Sequence, residues 1–307
     1  MKHKFTSIGI ILFFFLMLLF PKAVFTGASS GLLLWYQVVL PTLFPFLLVS
    51  NLLLNTGSIQ ILSDTFGKIV SLIFKASPNA AFVIVVGFLC GYPMGAKMAA
   101  DMVECGYLSK EEGEYLLSFC NNSSPGFILN FVIFKSLKRQ ELLWPTLIIL
   151  ILSPMIVSLF TRKKFSLYHQ QKQMLIPKKA WDFKELDRSI MDSFQILIKV
   201  GGYIILFSVI IVLSRQFFSE KKEIACLLAT LEVTNGVQML CNLDLQFELQ
   251  YLIILALTAF GGWCSIAQTQ CVIQKAGFRI FPYIIEKLAA SATASLLGLI
   301  YLFIRTL

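Results

Sequence analysis

Histidine is almost missing: His3 and His169 are the only two in 307 residues, and both flank apolar segments. A zinc site or a histidine-dependent triad is therefore hard to build. Charge is scarce too. Only 14% of residues are charged while 57% are hydrophobic, and a water-soluble fold of this length has no surface for so much apolar area. The composition requires an integral membrane protein. Seven cysteines include no CxxC pair, and most fall in apolar segments, where a thiol serves as a small buried hydrophobe. GxSG, HExxH and a pair of intramembrane aspartates are all lacking, and Cys264 would have no base. Catalysis, a metal site and a cofactor are accordingly not expected.

The charge that exists is mostly basic, a formal +9. It collects in loops between apolar runs, which fits cytoplasmic loops and argues against nucleic acid as a partner. The densest stretch is 161–192, where Arg162, Lys163, Lys164, Lys172, Lys178, Lys179, Lys184 and Arg188 outnumber Asp182, Glu185 and Asp187. It reads as a cytoplasmic linker.

Along the chain, Phe5–Phe20 is a dense apolar run that fits either a signal sequence or, preferably, a retained first helix. Leu32–Leu54 can span a membrane, with Trp35 and Tyr36 at its outer edge and Pro41 and Pro45 as kinks. Ile59–Phe74 is an amphipathic interfacial helix, and Ser77-Pro78 supplies a helix start after it. Leu142–Phe160, Ser193–Leu213 and Tyr283–Ile304 span again.

Between these runs lies Gly87–Phe127, which packs glycines, prolines, Lys97, Asp101, Glu104 and Asn121–Pro125 into one short region. Irregular polar backbone persists at membrane depth only where protein or a water-filled cavity surrounds it. Ala80–Leu89 and Ala96–Cys105 are half-length helices around a Gly/Pro tip, which predicts a re-entrant hairpin. Ser109–Glu112 forms a capping box, and Asn121–Gly126 interrupts the helix that follows it. A second, fainter unit has a polar break at Leu231–Gly236 and a hairpin over 249–276 with its tip at Gly261–Ser265. Setting Gly91 against Gly262 also pairs Tyr92 with Trp263, Ala96 with Ala267, Lys97 with Gln268, Gly106 with Gly277 and Ser124 with Ser295. Three crossings separate the units, so the second copy should be inverted, as in secondary transporters.

Broken helix ends offer free N–H groups and carbonyls to a solute. The expected substrate-binding set is Gly91, Tyr92, Gly95, Lys97, Asn121, Asn122, Ser123, Ser124, Glu232, Thr234, Asn235, Gly262, Trp263, Ser265 and Gln268. Glu232 is either a ligand for a proton, a cation or hydroxyls, or a partner for Lys97 or a helix end. Lys97 either faces the site or snorkels to the interface. Tyr92 and Trp263 either stack on a ring or pack. Asp101 and Glu104 should be solvated near the cytoplasmic mouth.

Five motifs, LPTLFPF at Leu40–Phe46, GYPMGAK at Gly91–Lys97, NNSSPGF at Asn121–Phe127, LEVTNG at Leu231–Gly236 and FGGWCSIAQ at Phe260–Gln268, occur in this order. In them the chain resembles the YlbJ-type sporulation integral membrane proteins of the nucleoside-recognition (Gate) domain group. The resemblance implies a polytopic membrane protein of endospore-forming bacteria, linked to spore cortex formation and related to nucleoside-transporter-like gates.

The expected fold is thus an all-α polytopic membrane protein of two inverted repeats with re-entrant hairpins and unwound helices. Its segments are an N-terminal helix or signal sequence (1–28), a first gate-like repeat (29–160), the linker (161–192) and a second repeat (193–307). The expected function is permease-like movement of a small polar solute, with a coupling proton or cation; the alternative is a non-transporting scaffold. The bilayer is a partner, and homo-oligomerisation is left open.

Overall fold

The computed structural model describes residues 2–164, 182–218 and 221–306. Most of the basic linker, residues 165–181 with His169, lies outside the described residues. Those described are overwhelmingly helical, with no strand among them. Five helical stretches are long and apolar enough to cross a membrane: Pro21–Asn55, Gln140–Arg162, Phe183–Phe217, Phe247–Ile273 and Ile280–Arg305. An unbroken helix satisfies its interior backbone groups by itself, which makes the helix the fold for this composition.

Helix α1 (Lys2–Leu19) exposes its apolar side chains. Helix α2 (Pro21–Leu34) starts on a proline at its first turn, where no N–H is needed. It runs through a π-helical stretch, Trp35–Val39, into α3 (Leu40–Asn55). The crossing is therefore longer than the expected Leu32–Leu54. Trp35 is no interface anchor: its indole donates to Leu197 O at 2.9 Å and its ring closes on Gly201.

After α3 comes α4 (Ile59–Phe74), which buries Ile59, Ser63, Gly67, Val70 and Phe74 and leaves Ile61, Phe66, Ile69 and Leu72 exposed. An apolar exposed face of this kind suits lipid. Helix α5 (Ala80–Leu89) begins after a turn at Pro78–Asn79, and its start carries no side-chain cap from Ser77. Helix α6 (Met94–Glu104) packs back on α5. Helix α7 (Lys110–Cys120) begins as the capping pattern dictates, with Ser109 Oγ accepting from Glu112 N. The Glu112 carboxylate turns elsewhere, accepting from Ser77 N at 2.5 Å and tying the α4–α5 loop to α7.

Residues 121–124 are non-helical. Ser124 then caps α8 (Pro125–Phe127), which continues as the π-helical stretch Ile128–Leu137. Helices α9 (Leu143–Lys164) and α10 (Phe183–Phe217) follow, and α10 takes up residues 183–192 of the expected linker. The remaining elements are α11 (Lys222–Ala229), α12 (Val233–Cys241), α13 (Phe247–Phe260), α14 (Gly262–Ile273) and α15 (Ile280–Thr306).

Packing moves the second hairpin. Helices α11 and α12 lie against each other as α5 and α6 do, with the tip at Thr230–Glu232. Helix α13 packs chiefly on α15 and α12, whereas α14 packs on α6 and α10. Gly261 thus breaks one 27-residue span and does not turn a hairpin. The physical reason is two consecutive left-handed glycines, Gly261 at φ 85° and Gly262 at φ 80°, which interrupt the helical ladder. The freed Trp263 and Cys264 N–H groups donate to Thr230 O and Leu231 O at the end of α11.

The most extensive contact joins α2 to α10. A Cβ on Gly27 would lie 2.8 Å from Val209 Cα, and one on Gly31 2.8 Å from Ile205 Cα. Two glycines one turn apart let the backbones touch, the usual route to helix association in lipid. Gly31→Leu should cost about 1–3 kcal/mol by overpacking, read as a lower unfolding temperature of the detergent-purified chain. An unchanged temperature would show that this contact is not tight.

Candidate functional site

Both tips and both breaks converge on one cavity of ≈ 80 Å³. The α5–α6 tip contributes Cys90, Gly91 and Tyr92; the break after α7 contributes Ser123 and Ser124; the α11–α12 tip contributes Glu232 and Thr234; and α14 contributes Ser265 and Gln268. Gly261 borders it at the second break, and Thr42 and Leu43 of α3 and Val200 and Ile204 of α10 also line it.

The first break is held by close backbone contact. Cys120 O at the end of α7 lies where a Cβ on Gly87 would be 1.9 Å away and one on Gly95 1.8 Å away. The two arms of the hairpin therefore grip one carbonyl between their glycines. Lys287 of α15, buried to 2%, donates to Asn121 O at 3.1 Å and Asn122 Oδ1 at 3.3 Å, and lies 4.9 Å from the Tyr92 ring centre. A cation at a helix C-terminus complements its unpaired carbonyls. Asn122 Nδ2 donates to Phe119 O, Asn121 Nδ2 to Thr269 and Tyr283, and Ser123 Oγ to Thr258 O. Tyr92 OH reaches Ala259 O at 3.1 Å, so the first tip is bonded directly to the second break.

The second tip is held by Glu232. Its carboxylate accepts from Thr234 N at 2.9 Å and from Asn235 N at 2.8 Å, capping α12. Asn235 Nδ2 adds a bond to Glu232 Oε2 and another to Ser208 Oγ. Of the two sequence readings of Glu232, this arrangement is the helix-end one, on a side chain that also lines the cavity.

The remaining expected residues separate. Lys97 does not snorkel: it is buried and donates to Asn51 Oδ1 at 2.8 Å and to Asp101 at 2.5 Å. Asp101 is not solvated, at 6% exposure, because its other oxygen takes Lys275 at 2.5 Å; only Glu104 is exposed, and it too binds Lys275, at 2.7 Å. Desolvation lowers the Lys275 pKa, but the Asp101 and Glu104 carboxylates outweigh it and hold the ammonium above its ordinary value. Trp263 is 42% exposed, packs edge-on to Phe260 and does not line the cavity. Gly262 sits against the α11–α12 tip, and Asn121, Asn122 and Asn235 stand behind the wall.

Beside the central cavity, and sharing Gln268 and Val200 with it, lies a cavity of ≈ 400 Å³ between α3, α6, α10 and α14. Its wall includes Asn51, Asn55, Lys97, Asp101, Lys199 and Lys275. The sequence reading missed Lys287, Asn51 and Lys275. A Glu-Lys pair inside the apolar run of α15 was the signal for the first; nothing local marks the others.

Gly95→Ala should drive a methyl into Cys120 O and lower stability by about 1–3 kcal/mol or more. Lys287→Met should cost a similar amount, because a buried carbonyl loses its donor. Thermal unfolding of each variant checks this; wild-type stability in both would remove the grip from the account.

No family model matches the chain, and no solved structure matches it. A curated relative, described as sporulation integral membrane protein YlbJ of Bacillus subtilis (strain 168), is 26% identical across 90% of this chain and 76% of the relative. With five spanning stretches, the chain is a multi-pass membrane protein. The match supports its assignment to the YlbJ-type sporulation integral membrane proteins.

Proposed function

We propose that the chain is a permease-like carrier of a small polar solute that serves spore formation, in particular the cortex. The observation that carries this reading is the convergence of four discontinuities, two tips and two breaks, on one cavity that adjoins a larger one. Discontinuous helices meeting between repeats are how secondary transporters build a solute site.

The element order supports two gate-like repeats. Helices α5–α6, α7–α8 and α9 form hairpin, broken helix and unbroken helix; α11–α12, α13–α14 and α15 repeat that order. In this reading the first tip enters from the face that carries the linker, the second from the opposite face, and the copies are inverted. The excess of Lys and Arg in the linker supports a cytoplasmic position for it. The larger cavity, bordered by Arg188, Glu104 and Lys275, then opens inward. Kinship with Gate domains belongs to this proposal, and so do a coupling proton or cation and the absence of enzymatic chemistry.

One observation favours the scaffold alternative: Glu232, Asn121, Asn122 and Asn235 are all engaged in internal hydrogen bonds. Ser265→Phe separates the two readings. Among the described residues Ser265 Oγ bonds within its own helix, to Gly262 O, and its side chain borders the central cavity. Filling that cavity should cut solute flux into proteoliposomes at least ~10-fold while the protein still accumulates and unfolds cooperatively. Unimpaired flux would overturn the carrier site; intact support of sporulation despite lost flux would favour the scaffold.

A further inference from the structure

The larger cavity holds charges that the proposed carrier reading leaves unused. Arg188, Asp192, Gln195, Lys199 and Tyr203 of α10 all line it. They recur at helical three-and-four spacing and so form one polar stripe along one side of the helix. In a spanning helix such a stripe faces protein or water, never lipid.

The charges in the wall do not balance. Four cations, Lys97, Arg188, Lys199 and Lys275, face three carboxylates, Asp101, Glu104 and Asp192. Asp101 takes Lys97 on one oxygen and Lys275 on the other, each at 2.5 Å, and Glu104 shares Lys275. Asp192 faces Arg188 at 4.0 Å. Lys199 joins no ion pair among the described residues, although it lies one turn inside the apolar run 196–213 of α10 and is exposed. An ammonium inside an apolar run is held by water or by a counter-ion. The cavity provides room for both.

We propose that this cavity binds a small anionic solute whose carboxylate or phosphate pairs with Lys199, while the amide side chains of Gln195 and Gln268 bond its polar remainder. The proposal rests on the carrier reading and deepens it by giving the solute its charge. A cavity of ≈ 400 Å³ suits a metabolite-sized ligand. The rim at Arg188, Glu104 and Lys275 is charged and exposed, an aqueous entrance and not a lipid one. Gln268 belongs to both cavities, so an anion held on Lys199 waits beside the tips and breaks.

The test is thermal unfolding of the full chain in nanodiscs of zwitterionic lipid. The probes are inorganic phosphate, glutamate, citrate and a nucleoside monophosphate, each titrated to obtain a Kd, with the uncharged nucleoside and ligand-free phosphatidylglycerol nanodiscs as controls. A ligand that binds only the folded state raises the midpoint with concentration. At least one anion should do so. Lys199→Met should weaken it ~10- to 100-fold, the loss of one charge-assisted bond, with the ligand-free midpoint little changed, and Lys199→Arg should keep most of the affinity. If the Met variant does not accumulate, Lys199→Gln takes its place. No response to any anion, or an undiminished response in Lys199→Met, overturns the proposal. Stabilisation by phosphatidylglycerol nanodiscs alone also overturns it, in favour of a lipid headgroup. Stabilisation by uncharged nucleosides alone, abolished by Ser265→Phe, overturns the anion assignment and leaves the carrier reading standing.

Discussion

The structure depends on what becomes of backbone groups where a helix stops inside an apolar interior. Each stop frees carbonyls or N–H groups that water cannot reach, and each unpaired group is costly. At the end of α7 the answer is steric as well as polar. Cys120 O is wedged between Gly87 and Gly95, and Lys287 and the Asn122 amide supply donors beside it. Neither glycine can carry a methyl without displacing that carbonyl. The hairpin α5–α6 is thereby fixed to the break it faces, and Tyr92 at its tip carries the connection to the second break.

The second half solves the same problem with different residues. Its tip is capped by a carboxylate, Glu232, and its break hands two N–H groups to the carbonyls of Thr230 and Leu231. One break thus presents carbonyls to a lysine, and the other presents N–H groups to a helix end. Ser123, Ser124, Thr234, Ser265 and Gln268 border the cavity between the halves. In the carrier reading the breaks are what allow the halves to move, because a helix already interrupted has less ladder to rupture.

Much of this was legible in the sequence because it is local. Pro125 and the Asn-Asn-Ser-Ser run announce the first break, Ser109 announces the start of α7, and the apolar runs announce the spans. The second hairpin was not legible. Gly261-Gly262-Trp263 looks like the Gly91-Tyr92 tip, yet a glycine pair turns a chain or merely interrupts a helix according to what its neighbours offer, and here Thr230 O and Leu231 O take the freed N–H groups. Trp35 misled for a related reason: an aromatic near a span end suits an interface, but Gly201 opens a slot for its ring. Asp101 looks solvated by its place near the cytoplasmic mouth, and Lys275, the partner that covers it, is far away in the chain. The stripe on α10 is not legible because its first two members, Arg188 and Asp192, lie in a charged stretch that reads as linker.

The central claim is that the two breaks and two tips border one site reachable in turn from each face of the membrane. The direct measurement is side-specific thiol labelling of a cysteine-free chain carrying Ser265→Cys, in vesicles of both orientations. The account predicts modification by a membrane-impermeant reagent from either face. Modification from one face alone, or from neither, would contradict it and leave a fixed cavity that passes nothing.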